Sequence, residues 1–222
     1  RPIERQKGKK PERNLQEPSI DERSLDVRDA ILKLLARPNI GSTSFIAGQY
    51  DHEVQGSSVT KPLHGRGRVN ADAAVLQPLP HSQKGVVLSD ALLPWYSRID
   101  TYAMAASSID TAVRNAVSVG GSMDHLAILD NFCWSSGNTP ERLYELKLAA
   151  KACYDVATRY GTPYISGKDS MFNDFRGYTK DGQKSHISTM PKLLIPAIGV
   201  VPDPSKAVTI DPNLTGDSTY IL

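Results

Sequence analysis

The residues Tyr164-Ile165-Ser166-Gly167-Lys168-Asp169-Ser170-Met171 follow 37 residues after the acidic step Leu129-Asp130-Asn131. An apolar run that leads into Gly-Lys-Asp-Ser brings an unhindered backbone, a cation, a carboxylate and a hydroxyl to one point, a combination suited to phosphate and metal. The stretch is not a P-loop, because that motif needs a glycine five residues before Gly167, where Thr162 stands. Alone, the tetrapeptide is weak support for phosphate contact, so the residues around it decide its meaning.

A strand, a helix and a second strand surround this stretch. Residues 126–129 and 163–166 are short apolar runs, and between them Thr139 and Pro140 form a helix start that Gly161 ends. The helix pattern predicts one buried face, made of Leu143, Leu146, Ala150, Cys153, Ala157 and Tyr160. One such crossover between parallel strands, the second ending at Gly167, places Asp130 and Gly167 at equivalent ends of neighbouring strands.

Capping residues, glycines, prolines and the hydrophobic pattern elsewhere in the chain predict further helices and strands. Alternating or β-branched runs predict strands at 57–62, 73–77 and 85–88, and a buried strand at 193–201. An alanine-rich helix over 102–119 is capped by Asp100 or Thr101, and a short helix extends from Ser24 to Leu35. The polar, turn-rich segment after Asp174 predicts a mobile loop.

Composition limits the classes of function. The 222 residues are 40% hydrophobic and 23% charged with a net charge of +2, which is typical of a soluble domain and argues against nucleic acid as the main partner. No apolar run reaches the length of about 18 residues that a membrane span needs. Cys133 and Cys153 lack a disulfide or metal spacing, so we expect two buried thiols and a cytoplasmic location.

Charge is concentrated at the front of the chain. Residues 1–13 are rich in cations and proline and poor in apolar side chains, which predicts a flexible, solvated arm. We therefore divide the chain into a basic linker with a docking helix (1–40), a main domain (41–203) and the truncated start of another subdomain (204–222). Both ends are expected to be cut.

Five motifs, read together in this order and spacing, resemble phosphoribosylformylglycinamidine synthase, and more narrowly its second synthetase half. They are Tyr50-Asp51-His52-Glu53-Val54-Gln55-Gly56, Ala71-Asp72-Ala73-Ala74-Val75, Asp110-Thr111-Ala112-Val113-Arg114-Asn115-Ala116-Val117, Leu129-Asp130-Asn131-Phe132-Cys133-Trp134 and Ser166-Gly167-Lys168-Asp169-Ser170-Met171.

The resemblance implies an α+β fold, the N-terminal-like domain of aminoimidazole ribonucleotide (AIR) synthetase. A mixed sheet carries helices on one face, and two such sheets pair edge to edge into a barrel. It also implies a homodimer of this chain.

The resemblance also implies a function. The family converts formylglycinamide ribonucleotide, ATP and glutamine or ammonia to the amidine, with ATP activating the amide oxygen as an iminophosphate that ammonia displaces. By resemblance, Asp130 and Gly167 contact ATP and Ser170 contacts the ribonucleotide. Lys168 stands where small forms of the enzyme have a metal-binding Asn, and we expect it to meet phosphate as a point charge.

A second group of positions resembles an auxiliary nucleotide site of the large enzyme. There Ala71 touches ATP, and Asp72 and Asn115 hold Mg²⁺. The chain departs from the pattern at Thr111, where the family has a metal-binding Glu, and another ligand comes from the C-terminal subdomain. We therefore expect weak metal binding, and no turnover without the partner domains: the first synthetase half, the C-terminal subdomain and the glutaminase.

Three interpretations remain open. The chain is part of a catalytic ATP-dependent synthetase, or a noncatalytic nucleotide-holding scaffold of the same enzyme, or part of another AIR synthetase superfamily member. Ser170 favours the first and Thr111 the second. Catalytic residues are not identified, and the residues allow Asn115 and Asp72 to be structural hydrogen-bonding groups instead of metal ligands.

Overall fold

The structure is a computed structural model that describes residues 8–13, 15–17, 19–21, 23–49, 53–65 and 67–210. The expectations for residues 1–7, for Tyr50, Asp51 and His52 of the first motif, and for the chain after Ile210 lie outside this part. Within it the helices are α1 (Val27–Leu35), α2 (Ser44–Ala47), α3 (Thr101–Ser118) and α4 (Pro140–Tyr160). The strands are β1 (Ser58–Thr60), β2 (Leu63–His64), β3 (Val69–Asn70), β4 (Ala73–Leu76), β5 (Gly85–Leu92), β6 (Leu126–Cys133), β7 (Tyr164–Ser170), β8 (Asp174–Tyr178), β9 (Lys184–Ser188) and β10 (Lys192–Val201).

One six-stranded mixed sheet organises the fold, with the strand order β1-β4-β5-β10-β6-β7. Strands β6 and β7 are parallel, while the other neighbours in this sheet are antiparallel. The crossover through α4 between β6 and β7 is the predicted strand–helix–strand unit, which is therefore confirmed. The predicted α+β fold with a mixed sheet is confirmed as well.

Helices α3 and α4 pack on one face of the sheet, and the core lies beneath them. Along β10, Leu193, Ile195 and Ala197 are almost fully buried, as the alternation of a strand requires. They meet Met104 and Ile109 of α3, which are also fully buried. On the opposite face Leu88 and Leu92 remain 41% and 46% exposed.

The two long helices begin where their caps predict. The Asp100 carboxylate accepts a hydrogen bond from the backbone N–H of Ala103, and the Thr139 hydroxyl accepts one from Arg142. Helix α4 ends at Gly161, whose φ of 68° is left-handed and suits glycine. The first helix starts later than predicted, since Asp26 rather than Ser24 caps it.

Three further predictions are corrected. Ala150 is exposed, because the buried face of α4 runs through Glu145, Ala149, Ala152 and Cys153 instead. The segment after Asp174 is not an irregular loop but the hairpin of β8 and β9, paired from Asp174–Ser188 to Tyr178–Lys184. Strand β7 does not stop at Gly167 but continues to Ser170.

The arm at the front of the chain differs from the expected solvated tether. The backbone N–H of Lys9 donates to the carbonyl of Pro140, and the Arg13 guanidinium lies against the buried Glu145. Residues 8–13 therefore rest on the start of α4. The boundaries at 40 and 203 and the docking role of α1 stay predictions.

Candidate functional site

The parallel pair β6–β7 brings the two main motifs side by side. Asp130 pairs with Gly167, Asn131 with Lys168 and Cys133 with Ser170. The pairing steps from Ile128–Tyr164 to Leu129–Ser166, so Ile165 is an extra residue, a β-bulge. Because a bulge reverses the side-chain alternation, it puts Gly167 on the same face as Asp130.

Glycine at 167 leaves room for the Asp130 carboxylate. A Cβ at this position would stand 2.6 Å from Oδ1 of Asp130, a distance that real Cβ atoms essentially never show. The same Oδ1 accepts a hydrogen bond of 3.2 Å from the backbone N–H of Lys168. The carboxylate thus lies across the neighbouring strand, held by a backbone donor that follows the glycine.

The surroundings of Asp130 disfavour its negative charge. Partial burial raises the pKa of the Asp130 carboxyl above its ordinary value, and the charge of Asp169 raises it further, against the lowering effect of the Lys168 N–H. A hydrogen-bond donor or a cation that binds beside this carboxylate would therefore stabilise its negative charge. Beneath it, burial raises the pKa of the Cys153 thiol to about 11, so this thiol is neutral and belongs to the core as predicted.

Lys168 and Ser170 lie on the other face of β7. They are two residues apart on a strand, and the Lys168 ammonium donates to the Ser170 hydroxyl. Both are therefore separated from Asp130 by the backbone of β7, which is an edge strand of the six-stranded sheet. A single ligand can contact both Asp130 and the Lys168–Ser170 pair only if it extends around the edge of the sheet or past the end of β7.

Asp72 and Asn115, the predicted metal ligands of the second group, both lie next to Asp90, a residue that the sequence analysis did not name. Asp72 stands opposite Asp90, since Ala73 pairs with Ser89. The Asn115 side-chain amide donates to the carbonyl of Asp90 at 3.4 Å, the structural role that the residues alone left open. Asp90 could have been found from the alternation of β5, in which it is a charged residue on the exposed face.

A cavity of about 600 Å³ lies beside the second group on the exposed face of the sheet. Ala71, Asp72 and Asp90 line one part of it, and Leu129 and Ile165 line another. Asp130, Gly167, Lys168 and Ser170 are not among its lining residues. Asp72 and Asp90 supply the oxygen ligands that Mg²⁺ prefers, with space for the water molecules it keeps. Within residues 8–210 as described, no group of three or more His, Cys, Asp or Glu side chains could hold a metal.

No helix in the described part of the chain combines the length and the hydropathy of a membrane span.

A mixed sheet with two helices on one face is the architecture of an AIR synthase-like α+β domain. The chain belongs to the AIR synthase related protein family, whose N-terminal domain matches residues 70–188. That match lies inside the predicted main domain.

Relatives of this chain are named as phosphoribosylformylglycinamidine synthase subunit PurL. The protein of Methanothermobacter marburgensis is 34% identical over 173 residues, which are 76% of this chain and 23% of that protein. The protein of Thermoplasma volcanium is 32% identical over 214 residues, 94% of this chain and 26% of that protein. The chain thus spans about a quarter of the length of these relatives.

Solved structures agree on the fold. The structure of PurLQS from Thermotoga maritima aligns with a TM-score of 0.61 and 23% identity, over 95% of this chain and 29% of that one. PurL of the same organism complexed with FGAR (formylglycinamide ribonucleotide) aligns with a TM-score of 0.54 and 26% identity, over 73% of this chain and 23% of that one.

Proposed function

We propose that this chain supplies nucleotide and substrate contacts to an ATP-dependent ligase of purine biosynthesis that converts formylglycinamide ribonucleotide to the amidine with ammonia from glutamine. The observation that carries the proposal is the in-register pair of Asp130 and Gly167 in a member of this family. The names of the PurL relatives support the reaction, and the T. maritima PurL complexes with ADP, AMPPCP, ATP and FGAR support the ligands.

Each predicted residue has a place in this proposal. Asp130 and the backbone of Gly167 contact ATP, Lys168 neutralises phosphate charge, and Ser170 contacts the ribonucleotide. Asp130 and Gly167 lie on the helix-covered face of β7, and Lys168 and Ser170 lie on its open face. The proposal therefore has the two anionic substrates meet at the strand end, where both groups of residues can be reached. The Lys168–Ser170 hydrogen bond must then open to admit a substrate oxygen.

A second candidate function is a noncatalytic, nucleotide-holding scaffold in the same enzyme. The observation that favours it is that Ala71, Asp72 and Asp90 line one 600 Å³ cavity, while Asn115 donates a hydrogen bond to the backbone carbonyl of Asp90. A Mg²⁺ carrying nucleotide phosphates would use the carboxylates of Asp72 and Asp90 there. Thr111, one turn before Asn115, offers no carboxylate, so metal affinity at this site should be low.

The partners follow from the proposed reaction. The chain would work in the cytoplasm with the first synthetase half, the C-terminal subdomain and the glutaminase, and 204–222 would begin that C-terminal subdomain. Alone, it would form a homodimer, because the edge strands β1 and β7 and the apolar sheet face offer surfaces for a second copy. Light scattering tests this point, and a monodisperse monomer would refute it.

Calorimetric titration of Mg-ATP into the 222-residue chain distinguishes the two functions. Binding that disappears in Asp130→Ala but survives in Asp72→Ala supports the active-site proposal. Binding lost only in Asp72→Ala supports the scaffold instead. The absence of binding in the native chain would contradict both as functions of this chain alone.

A further inference from the structure

The front of the chain is fastened to the domain by one arginine. Nη2 of Arg13 lies 2.6 Å from Oε1 of Glu145, and Nη1 of the same guanidinium donates to the backbone carbonyl of Ser97. The Glu145 side chain is 6% exposed and that of Arg13 is 18% exposed. This is therefore a largely buried pair, unlike the surface ion pair of Arg114 and Asp110, in which the arginine side chain is 77% exposed.

The contact joins three elements besides the arm. Ser97 lies in the short helical turn after β5, Glu145 lies in the second turn of α4, and the Glu145 carbonyl accepts the Thr101 hydroxyl at the start of α3. A guanidinium can donate to a carbonyl and a carboxylate at once because its N–H groups form a rigid fork, which an ammonium lacks. Arg13 thus occupies a junction that lysine could not fill equally well.

The backbone of the arm is seated as well. The Lys9 N–H donates to the Pro140 carbonyl at 3.0 Å, in the first turn of α4. A Cβ at Gly8 would stand 3.1 Å from the Cα of Tyr144, so glycine permits the close approach of the two backbones. The arm is therefore held at both ends of residues 8–13, by backbone contacts at one end and by Arg13 at the other.

Loss of Arg13 would leave Glu145 in an unfavourable state. The second carboxylate oxygen is bound by Arg142 at 2.8 Å, but the Arg142 side chain is 32% exposed and approaches from the surface. The oxygen facing Arg13 would remain buried without its partner, and an unpaired buried charge is costly. Docking of the arm therefore stabilises the folded domain, because it keeps the Glu145 carboxylate paired.

We propose that residues 8–13 form a strap. It lies across the first turns of α3 and α4 and is held there by the contacts of Arg13 with Glu145 and Ser97. The ends of β5 and β6 lead into these turns, so the strap lies at the end of the sheet that carries the Asp130–Gly167 pair. Residues 8–13 are then docked at that end of the sheet and do not form a flexible linker. The inference does not depend on the proposed function.

Limited trypsin digestion of the 222-residue chain tests the strap. Cleavage of the Lys9–Lys10 bond, followed by mass spectrometry, reports how often the arm opens. We expect cleavage about tenfold faster or more in Arg13→Ala and in Glu145→Gln, and unchanged in the matched control Arg114→Ala. Arg13→Lys should remain much closer to Arg13→Ala than to the native chain.

A double-mutant cycle separates direct contact from indirect effects. If Arg13 and Glu145 act as one fastener, the double variant is cleaved no faster than the faster single variant. Arg13→Ala should lower the urea unfolding midpoint, because Glu145 loses a buried partner, but global unfolding should stay too rare to account for the cleavage. Native cleavage rates in Arg13→Ala would overturn the proposal. Multiplicative effects in the double variant would overturn it too, as would a loss of core stability large enough to explain the cleavage.

Discussion

Replacing Gly167 by alanine should separate the candidate nucleotide site from the stability of the fold. The new Cβ would stand 2.6 Å from Oδ1 of Asp130, 3.1 Å from its Cγ and 3.2 Å from its Oδ2. To reach an ordinary contact distance of 3.4 Å, Oδ1 must move by about 0.8 Å. Since the Lys168 N–H already lies 3.2 Å away, this shift breaks or weakens the hydrogen bond to Asp130.

The effect on stability should be small because two terms oppose each other. Losing one hydrogen bond costs about 0.5–1.5 kcal/mol, whereas alanine replaces glycine in a strand interior with a gain of about 0.5–1 kcal/mol. The free energy of unfolding should therefore change by no more than about 1 kcal/mol. The affinity for a ligand that contacts Asp130 should fall more than the stability does. The displaced carboxylate would no longer lie where the ligand needs it.

Urea unfolding and Mg-ATP calorimetry on Gly167→Ala measure the two quantities. We expect a near-native unfolding midpoint and a nucleotide affinity at least about tenfold weaker, the equivalent of one charge-assisted hydrogen bond. Gly67→Ala is the control, because it lies outside β6 and β7 and its new Cβ would meet only a methyl group of Val69, at 3.3 Å. Native affinity in Gly167→Ala, with the fold intact, would refute the role given to the Asp130 position.

Asp130→Asn should raise the free energy of unfolding at pH 7 by less than about 1 kcal/mol in a urea titration: the folded pKa of the carboxyl is raised, so the ionised form weakens the fold above that pKa. The gain should fade as the pH falls through this raised pKa and the native carboxyl becomes protonated, and a gain that grows on acidification would contradict this sign. Cys153, with its pKa near 11, should resist a thiol reagent at pH 8 in a Cys133→Ser variant until urea unfolds the chain, and rapid labelling would show that the thiol is accessible. Tyr102→Phe removes a 2.9 Å hydrogen bond to Asp155 between α3 and α4, so urea titration should show a loss of about 0.5–1.5 kcal/mol, and an unchanged midpoint would mean that water replaces the bond.

The crossover between β6 and β7 could be predicted because its signals are local. Thr139, Pro140 and Gly161 fix both ends of α4, and the crossover then brings Asp130 and Gly167 to the same end of the sheet. Their direct pairing depends on the bulge at Ile165, which no local signal predicts. The continuation of β7 to Ser170 could not be predicted, since Lys-Asp-Ser reads as a polar loop. Its backbone is drawn into the sheet by pairing with Asn131 and the two residues after it.

The arm and the second site show a different limit. Residues 1–13 carry several cations, and nothing in their local sequence distinguishes Arg13, whose partner Glu145 lies 132 residues away. Glu145 also looks like a surface residue until α3 and the arm cover it. Asp90 was missed for a related reason, because its importance comes from Asp72 on the neighbouring strand.

A crystal structure of this chain with Mg²⁺ and a nonhydrolysable ATP analogue would show whether the β6–β7 strand ends bind nucleotide. We expect phosphate oxygens within hydrogen-bonding distance of Gly167 or Lys168, and a nucleotide contact at Asp130. A nucleotide bound only beside Ala71 and Asp72, with the β6–β7 strand ends empty, would contradict this expectation.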